Sequence, residues 1–483
     1  MACTFNRLAR HSSKPCPAAG SAMTESTTTR PARSHGHEGV LSTAAGSHGG
    51  DGGDDLISLL PDCILGEIVT RLPTVDAVRA QLLSSRWRHV WSSSPLNLDL
   101  QGYEGYNGSR YYYAIVSAHP GPARRVKIVH ISDNDDNRWL RDPALSGLQA
   151  TTTLSFPHLE QIAFWSVDIS EDTLHGVLAS SPALNALLLD GCTGFTNVRI
   201  NSSSIKTFAV AFPCALFSEK QVTIQQVVIE DAPLLEKLIP FCGWSGGGSF
   251  ELRVVSAPKL RVLGSLSMMI SKLELGSTVF KLTHRRVNLV TRDEVSREER
   301  LVIEAVRLST KLPTVKILAL EDVDRIDVLT NYLMCFPCLQ KLYISASQGF
   351  RSAGHYDKLT SIECLELHIK KIVLKGYEGK RSDVRFAKFF LANAQALELF
   401  SIRFRNTSSY TMSNEDWIAE QRRHLQLRNR ASQHVKFHFE YDNCYRHIYF
   451  SHDTYDISEQ INDSARNDPF DGLNRMRNPW HVE

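Results

Sequence analysis

A short apolar pattern that recurs nine times between residues 159 and 402 constrains the fold more than any other feature of this sequence. Eight copies read apolar, two residues, apolar, one residue, apolar, and the copy at Leu260 lacks the last apolar residue. Several copies start about 25 residues apart. A unit this small leaves one side bare, and only a neighbouring copy can cover it. The pattern therefore predicts a solenoid of short strands and connectors. The copies are Leu159-Ile162-Phe164, Leu184-Leu187-Leu189, Ile205-Phe208-Val210, Leu260-Leu263, Ile270-Leu273-Leu275, Val315-Leu318-Leu320, Leu339-Leu342-Ile344, Ile362-Leu365-Leu367 and Leu397-Phe400-Ile402.

The repeats are irregular, and the interval between Ile270 and Val315 is long. It holds the charged stretch 292–300, where we expect an inserted loop and a helix with a solvated face. The copy that starts at Leu184 reaches Cys192, a residue type that leucine-rich repeats use at that position. We therefore expect irregular leucine-rich repeats over residues 120–350. The alternative is an unrelated α/β domain with short strands.

Residues 54–95 read as a small helical unit with more apolar surface than it can bury alone. A first helix can begin at Pro61 and should stop at Leu72, because Pro73 disfavours helical geometry in the residue before it. Thr74 can cap a second helix that continues to Trp91. A unit of about 40 residues is too small to be stable by itself, so the rest of the chain or another protein must cover it.

This unit resembles a plant F-box in Leu60-Pro61, Leu82-Leu83-Ser84, Arg86-Trp87-Arg88 and Trp91, and departs from it at Ala80-Gln81 and Ser85. The resemblance implies a substrate receptor of a cullin–RING ubiquitin ligase, whose F-box helices dock on the Skp adaptor. The alternative is an ordinary helical hairpin of the downstream domain. The Skp-binding residues expected from the resemblance are Leu60, Pro61, Ile64, Leu65, Ile68, Leu72, Leu82 and Trp87.

Residues 360–460 contain two segments that are similar to the FBD domain of many plant F-box proteins, 374–379 and 386–394. We expect a strand before them, a helix capped by Ser382 or Asp383, and a basic helix over 420–431. The expected fold is thus an α+β or α/β solenoid with an N-terminal helical F-box, irregular leucine-rich repeats and a small α+β FBD-like domain.

Composition excludes several classes of function. The 54 Lys and Arg residues nearly balance the 52 Asp and Glu residues, which argues against a nucleic-acid partner. No run approaches the roughly 18 apolar residues of a membrane span. The 10 cysteines are mostly scattered, so we expect reduced thiols and a cytoplasmic or nuclear location. Residues 1–53, poor in large apolar side chains, are expected to be disordered, and residues 461–483 to form a loose tail.

Catalytic patterns are missing from the sequence. The glycine-rich stretch 246–249 lacks the Gly-Lys-Ser/Thr of a phosphate-binding loop, and no His-Glu-x-x-His or Gly-x-Ser-x-Gly occurs. Cys335 and Cys338 have metal or redox spacing, but no second pair completes a zinc site, so we expect packing. We expect neither a cofactor nor enzymatic activity.

The favoured interpretation is a non-catalytic adaptor that binds Skp, and through it a cullin, with its F-box and an unknown target protein with its repeats. The alternative is a non-ligase scaffold with leucine-rich repeats, and a further one is an enzyme with an unrecognised site. Because side chains alternate across a strand, outward-facing positions should contact the target. Those positions are Trp165, Asp190, Tyr343 and Glu366.

Overall fold

The structure is a computed structural model. It describes residues 56–101 except 58 and 73, 119, 121–129, 156–212 except 166 and 168, 224–242, 250–290 except 268 and 269, 295–307, 311–346 except 322, 349–350, 361–404, 413–441 except 429, and Phe470. The expected disordered segment 1–53 lies outside the described residues, as does the expected tail apart from Phe470.

Three helices form the N-terminal unit: α1 (Asp62–Arg71), α2 (Thr74–Ala80) and α3 (Ser85–Ser93). Helix α1 begins after Pro61 and ends before the extended residue Leu72, as predicted. The prediction of one helix from Thr74 to Trp91 is wrong. Residues 81–83 form a turn, and Ser84 starts α3 by accepting a hydrogen bond from the Trp87 amide at 3.3 Å.

A twelve-stranded sheet follows, in which every neighbouring pair is parallel. The strands of this sheet follow one another in sequence order, and the strands that lie between them in sequence belong to a second sheet. The strands are β1 (Leu96–Gln101), β2 (Ala123–Val129), β3 (Gln161–Trp165), β4 (Ala186–Asp190), β6 (Thr207–Phe212), β8 (Lys237–Cys242), β10 (Val262–Leu266), β14 (Ile317–Glu321), β15 (Lys341–Ser345), β16 (Lys371–Tyr377), β17 (Leu399–Phe404) and β18 (Lys436–Tyr441).

The remaining strands form a second, six-stranded sheet in the order β13-β12-β11-β9-β7-β5. Two of them, β12 and β13, make a long antiparallel hairpin. The helix predicted in the charged stretch 292–300 is therefore wrong, since residues 295–300 belong to β13. The six strands are β5 (Asn197–Asn201), β7 (Gln226–Asp231), β9 (Phe250–Val254), β11 (Ile270–Leu275), β12 (Thr278–Val290) and β13 (Val295–Arg307).

One continuous apolar core is shared by the two sheets and the later helices. Leu187 of β4, Val227 of β7 and Leu329 of a helix in the repeat region are all fully buried in it. Each turn of chain thus buries its apolar side against its neighbours, as a repeat of this size must. The helices are α4 (Glu171–Ala179), α5 (Ile326–Cys335), α6 (Glu363–Leu367), α7 (Arg381–Asn393) and α8 (Asn414–Leu425).

The copy of the apolar pattern at 362–367 forms helix α6 and not a strand. Cys364 and Leu365 are buried while Leu367 is 61% exposed, which is a helical arrangement of apolar side chains. The strand of this repeat, β16, begins only at Lys371. Spacings of three residues suit a helix as well as a repeat strand, and here the helix prevails.

Helix α7 is anchored by the buried carboxylate of Asp383. It accepts hydrogen bonds from the amides of Phe350 at 2.9 Å, Glu378 at 2.9 Å and Lys380 at 3.1 Å. Burial raises the pKa of Asp383, and the three backbone donors partly offset this effect. A single side chain thereby joins the start of α7 to the segment after β15 and to the end of β16.

Candidate functional site

The F-box unit presents a concentrated apolar surface. Six of the eleven exposed large apolar side chains among the described residues lie between positions 57 and 83. Surfaces of this kind mark contacts with other molecules. We call these residues the apolar patch: Ile57, Leu59, Ile64, Ile68, Leu82 and Leu83.

The residues expected to bind Skp divide into three groups by exposure. Ile64 is 47% exposed, Ile68 37% and Leu82 67%, and Pro61 is exposed as well. Leu60, Leu72 and Trp87 are half-buried. The expectation for Leu65 is wrong, because this side chain is fully buried inside the unit and cannot touch a partner.

The sequence pattern did not single out Ile57, Leu59 and Leu83 as contact residues. Ile57 and Leu59 precede the first helix, where no periodicity can assign a face. Leu83 lies within the predicted second helix, but the turn at 81–83 interrupts that helix and leaves Leu83 69% exposed.

Polar contacts hold the F-box unit together and tie it to the sheet. Arg86 donates to a carboxylate oxygen of Asp62 at 2.7 Å and to the carbonyl oxygen of Leu60, which fixes α3 against the start of α1. Asn97 of β1 donates to the carbonyl oxygen of Thr70 at 2.6 Å. These contacts join the first and third helices of the unit and link the unit to the first strand of the sheet.

Trp165 and Asp190 occupy paired positions at the ends of β3 and β4. The Trp165 side chain lies outside what the structure describes. Asp190 is half-buried, and burial raises the pKa of its carboxyl to about 6. The two positions are therefore direct neighbours in the twelve-stranded sheet.

The other two expected target residues do not behave as predicted. Tyr343 lies on the face opposite Leu342 and Ile344, but it is only 8% exposed, and Phe470 is one of the side chains that pack against it. Glu366 is not on a strand at all; it lies in α6, where its carboxylate accepts a hydrogen bond from Ser361 at 2.7 Å. The four residues therefore do not form one exposed strip.

The Cys-x-x-Cys pair lies at the end of α5 beside the fully buried Phe336. Burial raises the pKa of the Cys335 thiol to about 11, which disfavours the thiolate that metal binding or redox exchange requires. Across the described parts of the chain, no three His, Cys, Asp or Glu side chains are grouped as metal ligands. Within the same residues, no helix combines the length and apolar character needed to cross a bilayer.

Family comparisons match three successive parts of the chain. The F-box domain matches residues 57–99, and the FBD domain matches residues 358–402. The LRR repeats of the FBD-associated F-box protein At5g56370 match residues 144–292 and 288–344. The order of the three matches is the order expected from the sequence.

Similar whole proteins come from Arabidopsis thaliana. The F-box/FBD/LRR-repeat protein At2g04230 is 24% identical over 424 residues, covering 71% of this chain and 88% of that protein. F-box/LRR-repeat protein 13 is 46% identical over 54 residues, covering 11% of this chain and 12% of that protein. Taken with the three domains, these similarities show that the chain belongs to the plant F-box/FBD/LRR-repeat proteins.

Proposed function

We propose that this chain is the substrate-recognition adaptor of a Skp–cullin–F-box ubiquitin ligase. The apolar patch is the observation that carries the proposal, because it leaves more large apolar side chains exposed than any other described part of the chain. The F-box match supplies the class of partner, a Skp-type adaptor. In such an assembly the chain needs no catalytic group of its own, since its contribution is to hold a target near the transferred ubiquitin.

We assign the F-box to residues 54–95, a repeat solenoid to residues 120–350 and an FBD-like domain to residues 360–460. The sequential strand order of the parallel sheet supports a solenoid. We propose that the repeats bind the target protein, because eight of the twelve strands of the parallel sheet lie within residues 120–350. The buried free thiols of Cys192, Cys335 and Cys364 suit the cytoplasmic or nuclear location that we propose.

Co-purification tests this function. The tagged full chain should retain Skp and cullin from plant cells, whereas Ile64→Asp with Ile68→Asp should lose both, because each change places a charge in the apolar patch. The matched control is Val255→Asp, which replaces an apolar side chain that is 52% exposed outside the F-box. Thermal melting should give the same midpoint for all three proteins.

Two results would count against the proposal. If the unmodified chain retains neither Skp nor cullin, the ligase role fails. If it retains a target protein without them, the alternative of a non-ligase scaffold is supported. Proximity labelling with the double variant, which should hold targets without passing them on, would then identify what the repeats bind.

A further inference from the structure

The last strand of the twelve-stranded sheet, β18, lies at one edge of that sheet. Its inner side pairs in parallel with β17, and the amide of Lys436 donates to the carbonyl oxygen of Glu398 at 2.8 Å. Along a paired strand, alternate residues direct their backbone groups to opposite sides. Phe437, Phe439 and Tyr441 therefore direct their amides and carbonyls away from β17. Within the part of the chain that the structure describes, no strand pairs with this outer side.

The two faces of β18 differ in chemistry. Phe437 and Phe439 are half-buried and pack against the apolar core, and Tyr441 on the same face is 43% exposed. Lys436 and His438 lie on the opposite face, and both are exposed. A strand laid along β18 would therefore meet aromatic side chains on one face and nitrogen-bearing polar side chains on the other.

The surface around this edge is basic. Residues 421–439 contain five Arg and Lys residues and no Asp or Glu, although the whole chain carries a net charge of only +2. Two of the five lie over aromatic rings of β18. The guanidinium carbon of Arg422 is 5.5 Å from the ring centroid of Phe439, and that of Arg430 is 5.9 Å from the ring centroid of Phe437. These contacts bring positive charge from α8 and the segment after it to the edge strand.

Two acids border this basic stretch, and each has a neighbour of its own. Glu440 of β18 pairs with Arg403 of β17 at 2.9 Å, and Glu420 of α8 lies 3.9 Å from a ring nitrogen of His424. Two copies of this edge would repel each other, because each copy would set Lys436 and the nearby arginines against the same charges. The charge of the edge therefore favours an acidic partner over a second copy of this chain.

We propose that the outer edge of β18 binds an extended segment of another protein in which acidic side chains alternate with apolar ones. The segment adds a thirteenth strand to the sheet and pairs with the outward backbone groups of Phe437, Phe439 and Tyr441. Its apolar side chains lie beside the aromatic face of β18, and its carboxylates lie beside Lys436. This surface belongs to the FBD-like region and does not depend on Skp binding, so it gives that region a role of its own.

A synthetic peptide tests this surface. Its seven residues alternate valine with aspartate, it carries fluorescein, and fluorescence anisotropy follows its binding to the purified full chain. We expect saturable binding. A peptide with lysine in place of aspartate should bind at least about tenfold more weakly, because it sets positive charge against a basic edge. A peptide with N-methyl groups on alternate amides should also bind at least about tenfold more weakly, because it loses its donors to the edge strand.

Variants at Tyr441 separate backbone pairing from side-chain contact. Tyr441→Ala removes the ring and keeps the amide, whereas Tyr441→Pro removes both. Proline is compatible with an edge strand at a position whose amide faces outward. We expect Tyr441→Pro to bind the peptide about fivefold more weakly than Tyr441→Ala, because one hydrogen bond to the peptide is lost. Thermal melting should give the same midpoint for both variants.

Charge variants locate the binding edge. Lys436→Glu should weaken binding of the valine–aspartate peptide about fivefold, because it turns an attractive cross-strand pair into a repulsive one. The matched control is Lys259→Glu, which changes an exposed lysine between β9 and β10 and should leave binding unchanged.

Several results would overturn the proposal. They are no saturable binding of the valine–aspartate peptide, equal binding of either control peptide, equal binding by the two Tyr441 variants, and equal losses from the two lysine variants. Analytical ultracentrifugation tests the other occupant. A dimer that Tyr441→Pro converts to a monomer would assign the edge to a second copy of the chain and overturn the proposal, whereas a monomeric unmodified chain supports it.

Skp titration of the same samples separates this inference from the proposed function. Skp binding without peptide binding would refute the edge-strand proposal alone. Peptide binding without Skp binding would refute the ligase role and leave the edge-strand proposal standing.

Discussion

Replacing Leu82 and Leu83 with alanine should weaken Skp binding strongly and leave the fold intact. These side chains lie in the turn between α2 and α3 and are 67% and 69% exposed. Full burial of a leucine is worth about 1.5–3 kcal/mol, so covering the exposed two-thirds of each is worth about 1–2 kcal/mol. The pair then contributes about 2–4 kcal/mol, which corresponds to a loss of roughly 30- to 700-fold in affinity.

Isothermal titration calorimetry with a purified Skp adaptor measures this loss. Leu367→Ala is the matched control, because Leu367 is a leucine of similar exposure, 61%, outside the F-box. It should bind Skp like the unmodified chain. Leu65→Ala should behave differently again, lowering the free energy of unfolding by about 2–5 kcal/mol, because Leu65 is fully buried. Unchanged Skp affinity in the Leu82 and Leu83 double variant, or an equal loss in Leu367→Ala, would refute the assignment of the apolar patch.

Three further predictions concern stability. Leu187→Ala should lower the free energy of unfolding in urea by about 2–5 kcal/mol, since Leu187 is fully buried between the sheets. Asp190→Asn should raise the free energy of unfolding by about 1–3 kcal/mol at pH 7 but not at pH 4. The pKa of Asp190 is raised to about 6, so ionisation of this carboxyl destabilises the folded chain as the pH rises from 4 to 6. A constant difference between the two proteins across that range would contradict the burial of this carboxyl. Asp383→Ala should lower the free energy of unfolding by about 3 kcal/mol or more, because it leaves three backbone amides without their acceptor. Asp383→Asn should lower it by less, and thermal melting of the two variants measures the difference.

The repeat strands were predictable because their apolar spacing reports burial directly. In β15, Leu342 and Ile344 face the main core and Tyr343 faces the other way, as the alternation requires. The burial of Tyr343 was not predictable, because its neighbours include Phe470, which lies more than a hundred residues further along the chain. Local patterns state which face a side chain takes, and distant contacts decide whether that face meets solvent.

Strands that depart from the apolar pattern were missed. Strand β8 carries Pro240 at an apolar slot, and a proline in a strand pattern argues against a strand. Pro240 nevertheless lies within β8 and is paired with Val210 of β6. The second sheet was missed for a related reason. Each of β5 and β7 has only two buried positions within five or six residues, and this short pattern does not match the spacing of the repeat.

The sequence predicted where the candidate Skp surface lies, but not which residues belong to it. The resemblance placed it between Leu60 and Trp87, and the apolar patch overlaps that segment. Leu65 and Ile68 are one helical turn apart in sequence, yet one is buried and the other 37% exposed. Helical spacing identifies an apolar side of α1, but the packing of α3 decides which part of that side remains available.

The junction between the F-box and the sheet has a consequence for the geometry of a ubiquitin ligase. Only Ser94 and Pro95 separate α3 from β1, and Arg124 of β2 reaches Glu67 of α1 at 3.6 Å. Because the connection is short and an ion pair spans it, we expect the F-box to keep one orientation relative to the first strands of the sheet. A target held on the sheet would therefore point in one fixed direction from the cullin. The distance of each target lysine along that direction would then decide which of them receives ubiquitin. Inserting a few glycines between α3 and β1 should therefore broaden the set of modified lysines.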